Sequence, residues 1–555
     1  MARPLPIAAL LATLAAAALP AQPRLATPAP PTVAAAGREQ TRDQQVRHVL
    51  DRLAFGPRPG DIERVRAMGV DAWIARQLTP ERIPDPTGDA LMAGFPSLAL
   101  SLDDRFRHTP PPPRLRETRR RGGAALTAAD SAERRRDRQQ ARRAGRQLLG
   151  ELASMRVARA VATERQLEEV MVDVWENHFN VFAGKGPYAG QYLVGFDRDV
   201  IRPHALGRFR DLLGAVARSP AMLVYLDNAQ SQATPDAPTL APRPRRAARQ
   251  RRGLNENYAR ELLELHTLGV DGGYTQHDVI EVARALTGWT IAPPAQGGGF
   301  VFRPALHDAG AKTVLGASLP AGRGIEDGEQ VLDLLARHPA TARFIATKLA
   351  RRFVSDTPPP ALVARAAETF RRTDGDIREV VRTIVTSPEF FSAATYRSKV
   401  KSPLELVVSA LRALCAEPDT TPRTAQVVAR LGQPLFGHQA PDGYPETGEA
   451  WINGGAILKR IDFGLAVAAG ALPGVSVRRW APARELAGAP REQQVDGILH
   501  ALLGGAASPD TRQVLLRGEN PLLARADGPT RRAPATDPLA ALVGLALGSP
   551  EFQRR

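Results

Sequence analysis

The chain has 555 residues, a formal net charge of +16 and a single cysteine, Cys415. One cysteine excludes an intrachain disulfide framework, and a chain of this length buries enough surface to fold without one. The charge invites a nucleic-acid reading, but residues 114–146 carry 12 Arg against 4 acids and residues 229–252 carry 6 Arg against Asp236, together +13 of the +16. With 68 Arg and only 6 Lys, this skew fits a GC-rich coding sequence. The two stretches read as solvated or anion-facing insertions (109–146 and 229–253) rather than as a phosphate-binding face.

In chain order, Met1–Arg3 gives a short positive start and Ile7–Leu19 an apolar run, followed by Leu19-Pro20-Ala21. This is the pattern of a signal peptide over 1–21, too short to span a bilayer. It predicts an exported protein, periplasmic or extracellular. An Ala/Pro/Thr-rich leader follows over 22–40. Val46, Leu50 and Leu53 begin helical spacing that stops at Gly56-Pro57. A long helix is expected from about Gln139 to Phe182, with Leu148, Leu152, Met155, Leu167, Met171, Val174 and His178 on one face. Thr275 and Asp278 make a capping box. Further helices are expected at 326–337, 340–353, 360–372, 376–386, 402–414 and near 450–470. Asp376 suits a helix cap, and Ser387-Pro388-Glu389, Ser402-Pro403 and Ser549-Pro550 look like helix starts. Cys415 shares an apolar stripe with Val407, Val408, Leu411 and Leu414 and is expected to be buried. Only Phe300–Phe302 and Lys312–Leu315 suggest strands. The fold class is therefore mostly α: one helical domain over 41–480, then a looser helical segment over 481–555.

Candidate functional residues concentrate in Asn255–Trp289. Asn255 suits an N-cap, with Glu256 in the first turn, and Glu256, Arg260 and Glu264 form an i, i+4, i+8 ladder. Asn257, Asp271 and Tyr274 add polar groups around a glycine turn, and Trp289 closes the stretch. His266 and His178 both point toward apolar packing. Either they are core histidines, or they are metal ligands or acid–base groups with Glu261 as carboxylate partner. His307-Asp308 would close such a pocket. Asn177 belongs with His178 in Trp175-Glu-Asn-His178. The Gly437–Gly454 loop carries Tyr444 and Trp451, which could line a groove. No nucleophile elbow, phosphate loop, HExxH or dinucleotide fingerprint is present.

These segments carry a resemblance. His48–Gly56, Trp175–Phe179, Asn255–Trp289, Phe302–Gly316 and Gly443–Asn453 follow the order of a large bacterial family called "domain of unknown function 1800". The resemblance implies an exported, mostly helical protein, encoded beside a sulfatase-like or phosphatase-like exported partner. No catalytic residue can be carried over from it, since the family has none assigned, and any cofactor stays unknown. Three functions stay open: a ligand- or metal-binding protein acting with that hydrolase-like partner, a non-enzymatic envelope scaffold, and an anion-binding surface protein using the Arg-rich insertions.

Overall fold

Local sequence fixes most helix boundaries in the computed structural model, which describes residues 37–108, 128–243, 253–518 and 537–555. The expected signal peptide, the leader up to residue 36, and residues 109–127 and 244–252 of the insertions lie outside the described residues. The fold is mostly α, with two small two-stranded antiparallel sheets among the described residues.

Helix α1 (Arg42–Arg52) starts at a Thr41–Gln44 capping box. Just before it, the Glu39 and Gln40 amides donate to the Phe391 carbonyl, so the chain is tied to the domain inside the span expected to be leader. Helix α2 (Ala128–Ala162) and α3 (Gln166–His178) replace the single long helix expected over 139–182. The break at 163–165 is built by side chains. Thr163 Oγ1 and the Glu164 backbone amide both turn to Asp85, while the Gln166 side-chain Nε2 donates to the Ala160 and Thr163 carbonyls at the end of α2. Backbone groups that would continue one helix are thereby satisfied elsewhere.

Helix α4 (Phe209–Arg218) leads to α5 (Pro220–Tyr225), and α6 (Glu256–Glu264) and α7 (Gln276–Ala285) form a hairpin across the Gly269–Gly273 turn. The Asn255 cap and the Thr275–Asp278 box are both formed. Strand β1 (Trp289–Ile291) pairs with β2 (Phe300–Phe302), and β3 (Lys312–Val314) with β4 (Ala317–Leu319). Amphipathic helices α8 (Ile325–Arg337), α9 (Pro339–Phe353), α10 (Pro360–Arg372), α11 (Ile377–Val385) and α12 (Pro403–Ala413) follow at the expected places, with Asp376 capping α11 and Ser402 capping α12.

Three expectations need correction. Ser387-Pro388-Glu389-Phe390 and Ser549-Pro550-Glu551-Phe552 are turns, not helix starts. In each, the Ser hydroxyl accepts the amide of the Phe three residues on, and that Phe is buried. Cys415 is exposed, because α12 ends at Ala413 and Cys415 takes a left-handed conformation, φ 51°. The C-terminal segment, expected to be looser, packs closely over its described residues. Helix α13 (Gly454–Ala468) packs so closely on α16 (Pro538–Leu547) that a Cβ on Gly464 would lie 2.7 Å from the Gly544 carbonyl oxygen. Between them run α14 (Arg491–Leu503) and α15 (Pro509–Arg517). Val400 bridges Arg554, and Arg555 Nε lies 2.9 Å from buried Glu405, which Arg352 also holds at 2.7 Å.

The core is continuous through the domain. Trp175, Phe179, Phe209 and Phe370 form an aromatic file with successive centroid separations of 6.1, 6.4 and 5.6 Å. Each is almost wholly buried, and rings of this size dominate core energetics.

Candidate functional site

The Trp175–His178 motif at the end of α3 gives each side chain a separate structural partner. Trp175 Nε1 donates to the Ala205 carbonyl at 2.9 Å. Glu176 pairs with Arg156 in a buried network that includes Asp173, Asp197 and Arg202. Burial pushes Glu176 well above the usual carboxylate range, while the Arg202 contact overcomes burial and holds Asp197 below it. The two carboxyls are thus shifted in opposite directions. Asn177 clamps the backbone of Tyr444, accepting from its amide at 2.7 Å and donating to its carbonyl at 2.9 Å. Nearby, Asn180 donates to the His438 and Ala440 carbonyls, and the Tyr225 hydroxyl to that of Gln439. The 437–446 loop is thus fixed by neighbours, leaving the His438–Asp442 pair, 3.0 Å apart, at the surface.

His178 and His266 do come together, with ring centroids 6.3 Å apart, and both are buried. His178 Nε2 meets the His266 carbonyl oxygen at 3.1 Å, and neither ring nitrogen of His266 has a hydrogen-bond partner. Phe179 stands edge-on to both rings, at 4.4 and 5.1 Å. Burial, reinforced by the Lys348 charge, lowers both imidazoles, that of His266 to about 3. Both are neutral and enclosed by aromatic rings. The Glu261 carboxylate reaches neither. It is half-buried and raised by burial and by the neighbouring Glu264 and Asp442 charges. Among the described residues no group of three or more His, Cys, Asp or Glu side chains could hold a metal ion.

His307 and Asp308 lie in a different centre, a buried knot joining α7, β3 and α8. Arg284 Nε donates to Asp308 at 2.8 Å, and Lys312 Nζ donates to Asp327 at 2.7 Å and to the Asp308 and Gly310 carbonyls. His307 Nδ1 faces the Thr287 carbonyl at 2.9 Å, and its Nε2 stands 3.4 Å from Asp327, too poorly directed for a hydrogen bond. Burial would raise Asp327, but His307 and Lys312 hold it below the usual range. Every donor of Lys312 meets an acceptor, as a buried cation requires.

The remaining sequence candidates are dispersed. Glu256 stands 3.6 Å from Arg260, and Gln276 bridges both. The Tyr274 hydroxyl donates to Glu264. Asp271 is exposed in the turn. Trp451 packs beside Tyr444, at 6.0 Å.

What Asn255–Trp289 builds is a groove. The Asn255 amide donates to Ser231 Oγ and its side chain to the Leu226 carbonyl, and Asn257 reaches the same carbonyl. Asn228 donates to the Leu286 and Trp289 carbonyls, and Thr290 Oγ1 to that of Ala229. These bonds hold the 227–232 turn against β1. The Ala233 amide joins the Leu306 carbonyl, so the segment leading into His307 completes the frame. The open groove measures about 930 Å³, with Lys185, Asp227, Gln230, Ser231, Thr290 and Arg303 among its polar lining and Ile291, Phe302 and Pro293 among its apolar lining. Lys185 Nζ and Asp227 are 2.7 Å apart, whereas Arg303 has no ion-pair partner among the described residues. Asp227 holds a left-handed conformation, φ 62°, which Asp tolerates better than most residues. Sequence reasoning missed Lys185, Asp227 and Arg303. The one available signal was Asp227-Asn228 directly after an apolar helix, a turn-forming pair.

No curated protein and no solved structure matches the chain. A family model described as "Protein of unknown function (DUF1800)" matches residues 48–554, nearly the whole chain, and the protein belongs to that family.

Proposed function

We propose that this protein is an exported ligand-binding protein whose 227–232/β1–β2 groove takes a small polar anion, carrying a carboxylate or phosphate. The observation that carries the reading is the division of labour around the groove. Asn255 and Asn257 of the motif are consumed in framing it, while Lys185, Asp227 and Arg303 are left on its surface, with one cation in excess. A cavity of this size with convergent polar groups on an apolar wall is the usual form of a small-molecule site. Arg303 supplies the fork geometry that carboxylates and phosphates favour. His178 and His266 serve as core packing, and His307-Asp308 brace the groove from behind. Export rests on the amino-terminal charge and apolar pattern, and a sulfatase-like or phosphatase-like exported partner on the family resemblance.

The test is ligand-detected NMR with a panel of carboxylates and sugar phosphates, on the wild type and on Arg303→Glu. Saturable binding of one class, lost in Arg303→Glu with the fold intact, supports the reading. A panel with no binder, or equal binding to the variant, sinks it.

The scaffold reading has its own support in the 437–446 loop, whose backbone is held by Asn177, Asn180 and Tyr225. A partner captured through that loop, with no small-molecule binding, would favour it.

A further inference from the structure

A second groove, remote in sequence from the first, lies where α13, α15 and α16 meet the 451–452 segment. It measures about 580 Å³. Its walls are greasy: Trp451, Ile452, Ile457, Val514 and Leu545 face it. Ile452 and Ile457 are 44% and 37% exposed, two of only five large hydrophobic side chains so exposed among the described residues. Apolar side chains gathered in this way mark interaction sites more often than scattered ones do.

The polar part of the wall is unusual. Arg460 is buried, 4% exposed, yet no carboxylate lies within ion-pair distance of it among the described residues. Its guanidinium donates only to neutral oxygens, Gln553 Oε1 at 2.9 Å and the Lys401 carbonyl at 2.8 Å. The carboxylate that acts on it from farther off, Glu405, is already held by Arg352 and Arg555. Arg554 also lines the groove, is exposed and has no side-chain partner among the described residues. Asp510 is the one acid on the lining, so the groove carries two cations against one anion. Buried charges in folded proteins are normally paired, and here the missing partner is an anion.

We infer that this groove binds a free single-chain alkyl carboxylate, its chain against Trp451, Ile457 and Leu545 and its carboxylate at Arg460 and Arg554. This site is independent of the groove framed by the Asn255–Trp289 motif. Apolar burial supplies affinity roughly in proportion to chain length, and the arginines select the charge.

The experiment is isothermal titration of the full chain with dodecanoate below its micellar range. Dodecyltrimethylammonium, with the same chain and opposite charge, is the control. One saturable site is expected, with the cation about ten-fold or more weaker. Arg554→Glu should weaken dodecanoate about ten-fold, and Ile457→Glu should abolish binding. Both positions are at the surface, so circular dichroism should be unchanged. Arg303→Glu, in the other groove, should leave dodecanoate binding as in the wild type. The inference fails if dodecanoate and the cation bind alike, if many molecules bind without saturation, or if Ile457→Glu binds normally. It also fails if phosphatidylglycerol vesicles capture the protein while free dodecanoate does not bind, since the groove would then be a membrane-docking face.

Discussion

Replacing His266 with leucine should remove part of the protein's acid sensitivity while sparing its stability at neutral pH. The imidazole is wholly buried, neither ring nitrogen has a hydrogen-bond partner, and burial lowers it to about 3. In the unfolded chain it titrates near 6.5. The unfolded state therefore binds more protons over the whole window between about 6.5 and 3, and stability rises with pH there. The contribution is complete above the unfolded value and is lost as pH falls. At pH 5 the unfolded imidazole gains RT ln(1 + 10^1.5), about 2 kcal/mol, relative to neutral pH. His178 and His48 are lowered by burial in the same direction, so they add to the acid sensitivity with the same sign. Urea denaturation at pH 7.5 and pH 5 reads this directly. His266→Leu should keep its pH 7.5 stability within about 1.5 kcal/mol, because no polar partner is orphaned. It should lose about 2 kcal/mol less than the wild type on acidification. An unchanged acid dependence, or a loss of several kcal/mol at pH 7.5, would show that the ring makes an interaction absent from this structure.

Lys312→Met should destabilise by about 3–5 kcal/mol in denaturant titration, since it leaves the buried Asp327 carboxylate only the Arg323 guanidinium at 3.3 Å and orphans the Asp308 and Gly310 carbonyls; a loss under about 1 kcal/mol would refute the buried pairing. At Gly443, φ is +75° and a Cβ would overlap the Asn177 carbonyl oxygen. Gly443→Ala should free the 437–446 loop, read as faster proteolytic cleavage there, and an unaltered cleavage pattern would contradict the clamp. Asn255→Ala removes a helix cap and the bond to Leu226, with an expected cost of about 1–2 kcal/mol and weaker ligand binding in the first groove. Binding at wild-type strength would mean that the cap does not shape the groove.

Helices were legible in the sequence wherever an apolar stripe met a cap, as at Thr275–Asp278, Asp376–Glu379 and Ser402–Glu405. Boundaries set by distant side chains were not. Nothing local to 163–165 announces that Asp85 will claim its backbone. Ser-Pro-Glu-Phe reads equally as a helix start or a turn, and packing of Phe390 and Phe552 decides for the turn. At the candidate site, the density of amides in Asn255–Trp289 was visible, but Asn255 and Asn257 target the Leu226 carbonyl while Asn228 targets those of Leu286 and Trp289, and no spacing rule connects these. The groove's own charges come from three separated segments, so only the fold brings Lys185, Asp227 and Arg303 together. Proximity of His178 and His266 was foreseeable from their apolar faces. Their enclosure by Phe179, with Phe344 6.1 Å from the His178 ring, was not.

The most direct test of whether these motif histidines belong to the core or to a metal centre is elemental analysis. The mature protein would be purified from its own host without chelator or metal-affinity tag, beside His178→Leu and His266→Leu. Trace metal only, the same in all three proteins, is expected of neutral histidines packed among aromatic rings. A near-stoichiometric transition metal that disappears in both variants would contradict that placement, and with it the assignment of the ligand site to the neighbouring groove.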